Sequence, residues 1–508
     1  MIMSQQLLNF QYQQEQREKN LTSMAGVGIY FDLFKILRIV QQLNKRLGQC
    51  RGKQGYRDSD VVLTIILLNL VGGECVEDVE RLEADEGLRR LFMKLIGRKH
   101  RGQKRIRRGT GRVFPSASVI FRYLERFDDG TEGEQGKAVK PSSIAMHVKF
   151  LEFNQWLMEV MNRQMRCRIA TLDQDATLIE TYKNHALFSY QGFKAYQPLN
   201  VFWHELCMML HSEFRPGNVS ANFDLLFNLK EALAALPPEV VGVRYRADGA
   251  GYNHELLKYL DAEEGEAGDE IKKRFGCIKF CVSAPITEEF RKAVVCDKDL
   301  EWNPLDFKKD GSPSFRGREW AEVCYVPNEL ARSKKGRQYR YLVTRQVVEE
   351  RVLPGIDPNQ VLVFPTMEMN RQRYKMFAVV TNDNGDGAQL IRWHDQRCGR
   401  SEEVHSILKS DLAGGVMPSG KFGANAAWWW CGILTYNLQA ILKRVAMDKN
   451  WQHKRMKAFR FHLINLPGRL VMSGNVLTLK LVVSKDKLAW LLGIRSRLLA
   501  FARGPCTA

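Results

Sequence analysis

Hydrophobic residues follow three different patterns along the chain. From about residue 21 to 165 they recur at the three- and four-residue spacing of amphipathic helices, as in 61–70 and 117–127. Between 168 and 280, helical stretches alternate with short apolar runs that predict strands at 168–175, 186–190, 199–213, 240–247 and 275–281. From 282 to about 375 only short strand-like runs lie between turns, and helical spacing returns from 402. This order predicts a helical region followed by an α/β domain that a β-rich segment interrupts.

At 508 residues the chain is too long for one ordinary hydrophobic core. The changes of pattern predict six segments. These are a flexible N-terminus (1–22), a mainly helical region (23–166), the first part of an α/β core (167–281), a β-rich insertion (282–375), the second part of the core (376–445) and a basic C-terminal region (446–508).

The composition adds a strong positive charge. There are 76 Lys and Arg against 57 Asp and Glu, so the formal net charge is +19. A charge of this size favours a polyanionic partner, and nucleic acid is the leading candidate because phosphate neutralisation dominates affinity for DNA. The helical region 23–166 is therefore expected to bind DNA. Its pattern of helix, Gly72-Gly73 and helix is compatible with a helix-turn-helix, although a plain helical hairpin is the commoner origin of such a pattern.

One short segment concentrates this charge. Residues 98–112 contain eight Lys or Arg, one His and no acid, and their glycines disfavour a stable helix. We interpret the segment as a basic loop that lies against DNA phosphates, with Arg105, Arg107 and Arg108 at its centre. A solubilising surface loop is the alternative.

The cysteines and apolar runs indicate the cellular location of the protein. The eleven cysteines are scattered without a CxxC motif, which disfavours a zinc site and fits reduced thiols. The longest apolar run, 61–71, contains Asn69 and is too short to span a membrane. We therefore expect a soluble cytoplasmic protein that is not associated with a membrane.

Three acidic residues stand where predicted elements begin or end. Asp175 ends the run 168–175, Asp248 follows the run 240–247, and Glu402 begins a helical pattern. Open α/β sheets place their ligands at the carboxyl ends of strands. One carboxylate from each of three elements would suit a magnesium-dependent phosphoryl-transfer site. Taken singly, each acid is more often a cap or turn residue.

Basic and aromatic residues near Glu402 extend this hypothesis. Lys409 lies seven residues after Glu402, on the same face of an α-helix, and would hold a DNA phosphate. Arg397 and Arg400 would add phosphate contacts, and Trp393 would stack on displaced bases. An exposed helix of mixed charge is the plainer explanation for Lys409. For Trp428–Trp430, in an apolar helical run, we favour burial in the core over base stacking.

Longer segments resemble one known family. They are LDQDATLIETY (172–182), SYQGFKAYQPL (189–199), EFRPGN (213–218), VRYRADGAGYN (243–253), RCGRSEEVHSILKSDLAGG (397–415) and PSGKFGANAAWW (418–429). In content and order they resemble bacterial insertion-sequence transposases of the DDE class, the cut-and-paste kind with an RNase H-like core and a Tyr-Arg-Glu-Lys signature. The resemblance implies an α/β fold in which a β-rich insertion interrupts the RNase H-like core, preceded by a helical DNA-binding region.

The resemblance also implies site residues. Carried over by motif, Asp175 (rather than Asp173), Asp248 and Glu402 are the catalytic residues and the metal ligands. Glu402, six residues and Lys409 reproduce the end of the family signature. Glu403 would break that spacing. Upstream the chain departs from the signature, because Trp393 stands where a Tyr is expected and Arg397 lies one residue too far from Glu402.

The function implied is DNA transposition. Mg²⁺, with Mn²⁺ as a substitute, would support DNA cleavage at the terminal inverted repeats of an insertion sequence and strand transfer into target DNA. The partners would be double-stranded DNA and further copies of the chain, as a homodimer or larger synaptic complex. An RNase H-like nuclease without strand transfer and a transposase-derived DNA-binding protein without catalysis are the alternatives.

Overall fold

The computed structural model describes residues 19–48, 55–97, 111–131, 133–140, 145–263, 268–297, 299–314, 316–327, 338–348, 366–369, 372–473 and 476–503. The chain divides into two compact units. The first unit combines Met1–Ile120 with Leu442–Ala508, and the second is Phe121–Ile441. The second unit therefore contains all three acids singled out above.

Strands occur in both units. In chain order they are β1 (Leu21–Thr22), β2 (Ile169–Ala176), β3 (Ile179–Glu180), β4 (Leu187–Phe188), β5 (Lys194–Tyr196), β6 (Leu199–Trp203), β7 (Met208–Glu213), β8 (Gly242–Ala247), β9 (Lys279–Ala284), β10 (Asn303–Pro304), β11 (Glu319–Val323), β12 (Arg340–Val347), β13 (Thr366–Met369), β14 (Gln372–Thr381), β15 (Gly468–Ser473) and β16 (Val476–Leu481).

The α-helices dominate the N-terminal part, alternate with strands in the core and follow β14 again. They are Val27–Ile36, Ile39–Leu47, Asp58–Val71, Val79–Ala84, Glu86–Ile96, Ala117–Leu124, Ala145–Met165, Leu225–Ala234, His254–Asp261, Glu270–Phe275, Glu288–Cys296, Gly387–Asp395, Arg400–Ser406, Phe422–Ala446, Met456–Phe459 and Lys485–Arg503. Shorter 3₁₀ turns occur at Val76–Asp78, Glu125–Phe127, Gly249–Gly251 and Lys449–Trp451, and π-helical turns at Ile407–Asp411 and Arg460–Ile464.

In the first unit, helices accompany a small antiparallel sheet of order β1-β15-β16. The helical pattern that follows Gly72-Gly73 is interrupted at Asp85. The Asp85 carboxylate accepts hydrogen bonds from Leu88 N (2.7 Å), Thr22 Oγ1 (2.9 Å) and Ser23 N (3.1 Å). It thereby caps the helix Glu86–Ile96 and joins it to β1, which explains why the chain restarts a helix there.

In the described residues, no single helix is long and apolar enough to cross a membrane. The helix Asp58–Val71 reaches that threshold only together with Val76–Ala84, and the pair is bent by 94°.

The second unit is built on one large mixed sheet of order β10-β11-β12-β14-β9-β8-β2-β6-β7. Strands β2, β6 and β7 form an antiparallel meander, and β8 and β9 lie parallel to β2 on its other side. A meander continued from its first strand by two parallel strands is the RNase H-like topology. The fold expected from the sequence is therefore confirmed.

The β-rich segment extends this sheet. Strand β14 pairs antiparallel with β9, and β12, β11 and β10 continue outward from it. The chain then returns through the helix Gly387–Asp395 to the helix Arg400–Ser406. The interruption of the core expected between Asp248 and Glu402 thus consists of strands that pair with the core sheet itself.

Buried hydrogen bonds join the central strands β2 and β8 to each other and to a helix beside the sheet. On β2, the Gln174 side chain accepts a hydrogen bond from Tyr245 Oη on β8 (2.7 Å) and donates to Asn228 Oδ1 on the helix Leu225–Ala234 (2.8 Å). All of these side chains are buried. Trp428, Trp429 and Trp430 are also buried, so the interpretation of these residues as core is confirmed.

Candidate functional site

Asp175 and Asp248 lie side by side at the carboxyl ends of two parallel strands. In the register of β2 and β8, Asp173 is opposite Arg246 and Gln174 is opposite Ala247. Asp175 on β2 and Asp248, directly after β8, occupy the next step of this ladder. The Asp248 carboxylate also accepts a hydrogen bond from Ala250 N (3.0 Å), which ends the strand and starts the turn Gly249–Gly251. Asp175 and Asp248 are therefore adjacent because β2 and β8 pair in parallel.

Glu402 approaches this pair from a helix. It lies in the first turn of Arg400–Ser406, which begins after Gly399 in a left-handed conformation (φ +75°). Glu402 is close enough to Asp175 for their charges to repel, as is Asp248. Glu403, by contrast, interacts electrostatically with Tyr436. Burial raises the pKa of Tyr436, and the charges of Cys207 and Glu403 add to that rise. The structure thus brings together the three acids Asp175, Asp248 and Glu402.

Arg397 lies between two of these acids. Its guanidinium nitrogens are 3.8 Å from Asp175 Oδ2 and 3.8 Å from Asp248 Oδ2. The Arg397 side chain is buried, whereas Asp175 and Asp248 are 17% and 45% exposed. Burial raises the pKa of Asp175 to about 7; Arg397 opposes that rise, and Asp248 and Glu402 add to it. Arg397 therefore neutralises part of a charge cluster that is otherwise repulsive.

Asp173, the other acid of β2, has a different environment. Its carboxylate forms a fully buried bidentate ion pair with Arg246, at 2.6 and 2.8 Å. Arg246 also donates to the Trp393 carbonyl (2.5 Å) and contacts His204 Nδ1 (3.0 Å). These contacts occupy both oxygens of Asp173, which supports the choice of Asp175 over Asp173 as the functional acid.

Trp393 packs against the sheet. Its ring lies 3.9 Å from the Arg244 guanidinium carbon and 5.1 Å from that of Arg246, and its side chain is half-buried against the core that includes Leu342 and Val379. A ring that stacks on two arginines of β8 has one face already covered. A base-stacking role for Trp393 therefore stays a prediction.

Lys409 and Arg400 lie at different distances from the acids. Lys409 is half-buried in the π-helical turn Ile407–Asp411, where its Nζ donates to the Leu178 carbonyl (3.2 Å) just after β2. Burial lowers the pKa of Lys409. Arg400 instead contacts Cys207 Sγ (3.0 Å) in the turn between β6 and β7. That turn is at the opposite end of β6 from the strand position that pairs with Asp175.

The basic residues Arg105, Arg107 and Arg108 lie outside the described residues. Their predicted contact with DNA phosphates stays a prediction.

The acids suit a divalent metal by their chemistry. Carboxylate oxygens are the hard ligands that Mg²⁺ prefers, and Mg²⁺ keeps several of its waters, so few protein ligands suffice. Burial raises the pKa of Asp175, and the charges of Asp248 and Glu402 add to that rise; a bound cation would offset this excess of negative charge. Within the described residues, no three His, Cys, Asp or Glu side chains already enclose a common point.

Sequence reasoning missed a set of neutral polar residues beside the acids. They are Asn200 on β6, Ser212 on β7 and His405, one turn after Glu402. All three are buried and hydrogen-bonded to one another. A polar residue inside an apolar strand run, as in Leu199-Asn-Val-Phe-Trp203, was the available signal, because such a residue needs a buried partner.

Comparisons with known proteins show what the chain is similar to. The family model described as Transposase DDE domain group 1 matches residues 7–268, which is 262 of the 508 residues. No curated protein matches the chain. One similar solved structure is the cryo-EM structure of a piggyBac transposase synaptic complex with hairpin DNA, at 10% identity and a TM-score of 0.39, covering 96% of this chain and 84% of that one. A likeness at that TM-score supports no conclusion about this chain.

Proposed function

Because the chain belongs to the transposase DDE domain group 1 family, we propose that it cuts DNA at the inverted-repeat ends of an insertion sequence and joins those ends to target DNA. The observation that carries the proposal is the pairing of Asp175 and Asp248 at adjacent strand ends, with Arg397 between them and Glu402 nearby. A net charge of +19 fits a DNA substrate.

Asp175, Asp248 and Glu402 would hold Mg²⁺, or Mn²⁺ in its place. When bound, two such ions would activate the attacking oxygen and stabilise the leaving oxygen at phosphorus. The chain's own contribution is to hold the three carboxylates on a rigid sheet and a helix. Lys409 and Arg397 would bind phosphate oxygens of the DNA and orient the scissile bond.

The proposed chemistry has two steps. In the first, water adds to the phosphorus at the element's end and the bond to the 3′-oxygen breaks, which leaves a 3′-hydroxyl and a 5′-phosphate. In the second, that 3′-oxygen attacks a phosphorus of the target and displaces the target's own 3′-oxygen. No covalent bond between protein and DNA forms. The active species is proposed to be a dimer or larger complex that holds two ends together.

An excision assay tests the proposal. A marker is flanked by the DNA ends found beside this gene, and its loss from cells is measured. We expect loss with the wild type and none with Asp248→Asn, because that change removes a charged ligand without changing its size. Asp299→Asn, at an exposed position, is the control and should excise like the wild type.

Three results would oppose the proposal. Excision by Asp248→Asn at the wild-type level would show that Asp248 takes no part in the chemistry. Cleavage of the ends without any joining to target DNA would favour a nuclease, and end binding without cleavage would favour a non-catalytic DNA-binding protein.

A further inference from the structure

A buried chain of hydrogen bonds joins the core sheet to the helix that carries Glu402. Trp429 Nε1 donates to Ser212 Oγ (2.9 Å), Ser212 Oγ donates to Asn200 Oδ1 (2.6 Å), and Asn200 Nδ2 lies 3.1 Å from His405 Nε2. Each of these side chains is at most 7% exposed. Four polar side chains from four elements thus meet in an interior that is otherwise apolar.

The hydrogen bonds of this chain run in one direction. An indole N–H can only donate, so Ser212 Oγ accepts from Trp429, and the Ser212 hydroxyl donates to Asn200 Oδ1. Asn200 then presents its oxygen to Ser212 and its amide hydrogens to His405. His405 must therefore accept at Nε2, which requires a neutral ring with its proton on Nδ1. In agreement, burial lowers the pKa of His405 to about 3, with Lys409 and Arg397 adding to the effect.

The two ends of the last hydrogen bond adjoin two of the acids. Asn200 on β6 is the register partner of Asp175 on β2. His405 lies three residues after Glu402, one helical turn further along the same helix. The contact between Asn200 and His405 therefore connects the backbone beside Asp175 to the backbone beside Glu402. It is also close to the π-helical turn Ile407–Asp411, an irregularity frequent at functional sites.

We propose that Asn200 and His405 are positioning residues that set the separation of Glu402 from Asp175. This inference rests on the proposed function, because it assumes that these carboxylates share metal ions. Without the hydrogen bond, the helix Arg400–Ser406 loses its polar attachment to β6 and Glu402 shifts relative to the sheet. Outer residues that orient metal ligands commonly change metal affinity or activity by about 10- to 100-fold when they are substituted.

The test compares three substitutions in the full-length chain. His405→Leu removes the acceptor, His405→Gln keeps an acceptor oxygen, and Ser212→Ala removes the hydroxyl that orients Asn200. We expect His405→Leu to raise the Mg²⁺ concentration for half-maximal end cleavage by at least about tenfold, His405→Gln to stay within about threefold of the wild type, and Ser212→Ala to fall between them. Mn²⁺ affinity, measured by electron paramagnetic resonance without any cleavage, should follow the same order.

A matched control separates positioning from stability. Asn437 is equally buried in the same unit, and its amide donates to Asn154 Oδ1 (2.7 Å) and the Met209 carbonyl (2.9 Å). Asn437→Leu should lower the melting temperature and leave the Mg²⁺ requirement of the folded protein unchanged. If His405→Leu behaves like Asn437→Leu, with lower stability and a wild-type metal requirement, the positioning role is overturned.

The same experiment includes Asp248→Asn. If Asp248→Asn abolishes cleavage while His405→Leu keeps the wild-type metal requirement, only the positioning role fails. If Asp248→Asn still cleaves, the proposed function fails, and the positioning role fails with it.

Discussion

Asp173 and Asp175 are two residues apart on one strand, yet their environments predict opposite effects of substitution. Asp173 is paired with a buried Arg246, so Asp173→Asn would leave that arginine charge without its partner. We expect a loss of roughly 3 to 5 kcal/mol in the free energy of unfolding. Burial, Asp248 and Glu402 oppose the ionisation of Asp175 more than Arg397 favours it, so for Asp175→Asn we expect no loss of stability and complete loss of cleavage.

Chemical denaturation together with an end-cleavage assay measures both effects. A destabilised Asp175→Asn protein would mean that Asp175 has a structural role. A stable Asp173→Asn protein that cannot cleave would move the catalytic assignment to Asp173.

The raised pKa of Asp175 predicts a pH-dependent response to metal. Its folded pKa of about 7 lies above the ordinary 3.8, so the metal-free fold binds the additional proton and loses stability as pH rises from about 4 to 7. A metal ion needs the ionised carboxylate and competes with that proton. We therefore expect Mg²⁺ to raise the melting temperature more at pH 8 than at pH 6.

The prediction is checked by thermal unfolding with and without Mg²⁺ at both of these pH values. Asp175→Asn is the reference, because its side chain does not titrate and its Mg²⁺ response should be small at both pH values. An equal Mg²⁺ effect on the wild type at pH 6 and pH 8 would contradict the assignment.

At the scale of elements, the segment after Glu402 differs from the predicted helix. The sequence predicts one α-helical face that holds both Glu402 and Lys409. The structure has an α-helix over Arg400–Ser406 and a wider π-helical turn over Ile407–Asp411. Lys409 consequently reaches the Leu178 carbonyl, at the end of β2, instead of projecting into solvent. This contact brings a cation to the strand that carries Asp175.

Substitution of Lys409 tests whether this cation is functional. Lys409→Met keeps most of the side-chain volume and removes one hydrogen bond, so we expect a loss of about 1 kcal/mol in stability. If Lys409 binds DNA phosphate, cleavage should fall by roughly tenfold or more, which corresponds to about 1.4 kcal/mol in the barrier. Lys183→Met is the matched control, because Lys183 Nζ also donates to a carbonyl, that of Pro418 (3.4 Å). Equal effects of both variants on cleavage would make Lys409 structural.

The elements could be predicted from the sequence where local pattern decides them. The strand predicted at 168–175 is β2 at Ile169–Ala176, and the run 240–247 is β8 at Gly242–Ala247. The run 199–213 is wrong as one strand, because a turn at 204–207 divides it into β6 and β7. Only His204 and Glu205 interrupt the apolar run there, so the hydrophobic pattern does not reveal the turn. Within the segment 282–375, residues 349–365 and any strand-like runs in them lie outside the described residues.

The candidate site, like the strands, could be predicted only where a local sequence pattern determines it. Acids at strand ends can be located by alternation, since parallel neighbours end at the same edge of a sheet. The position of Arg397 between Asp175 and Asp248 depends on how the chain returns after β14, and no local pattern contains that information. The same holds for His405, whose partner Asn200 is 205 residues away.

At the scale of the whole molecule, net charge predicts how DNA binding depends on salt. The chain has a formal charge of +19, and each neutralised phosphate adds about 0.9 to the slope of log affinity against log salt. If Arg105, Arg107 and Arg108 contact phosphates, replacing all three with Gln should reduce the magnitude of that slope by about two to three. The triple variant should lose affinity for unrelated DNA by about the same factor as for the inverted-repeat ends, because phosphate contacts do not read sequence.

A second triple variant controls for charge alone. Lys137, Lys273 and Lys292 are surface residues that pair with Glu134, Glu270 and Glu288, three or four residues earlier in the chain. Replacing these three lysines with Gln changes the net charge by the same amount, but their charge is already partly balanced locally. We expect a salt slope close to that of the wild type, measured by fluorescence anisotropy from 50 to about 200 mM salt. Equal reductions in the two triple variants would mean that overall charge, and not the segment 98–112, determines the salt dependence.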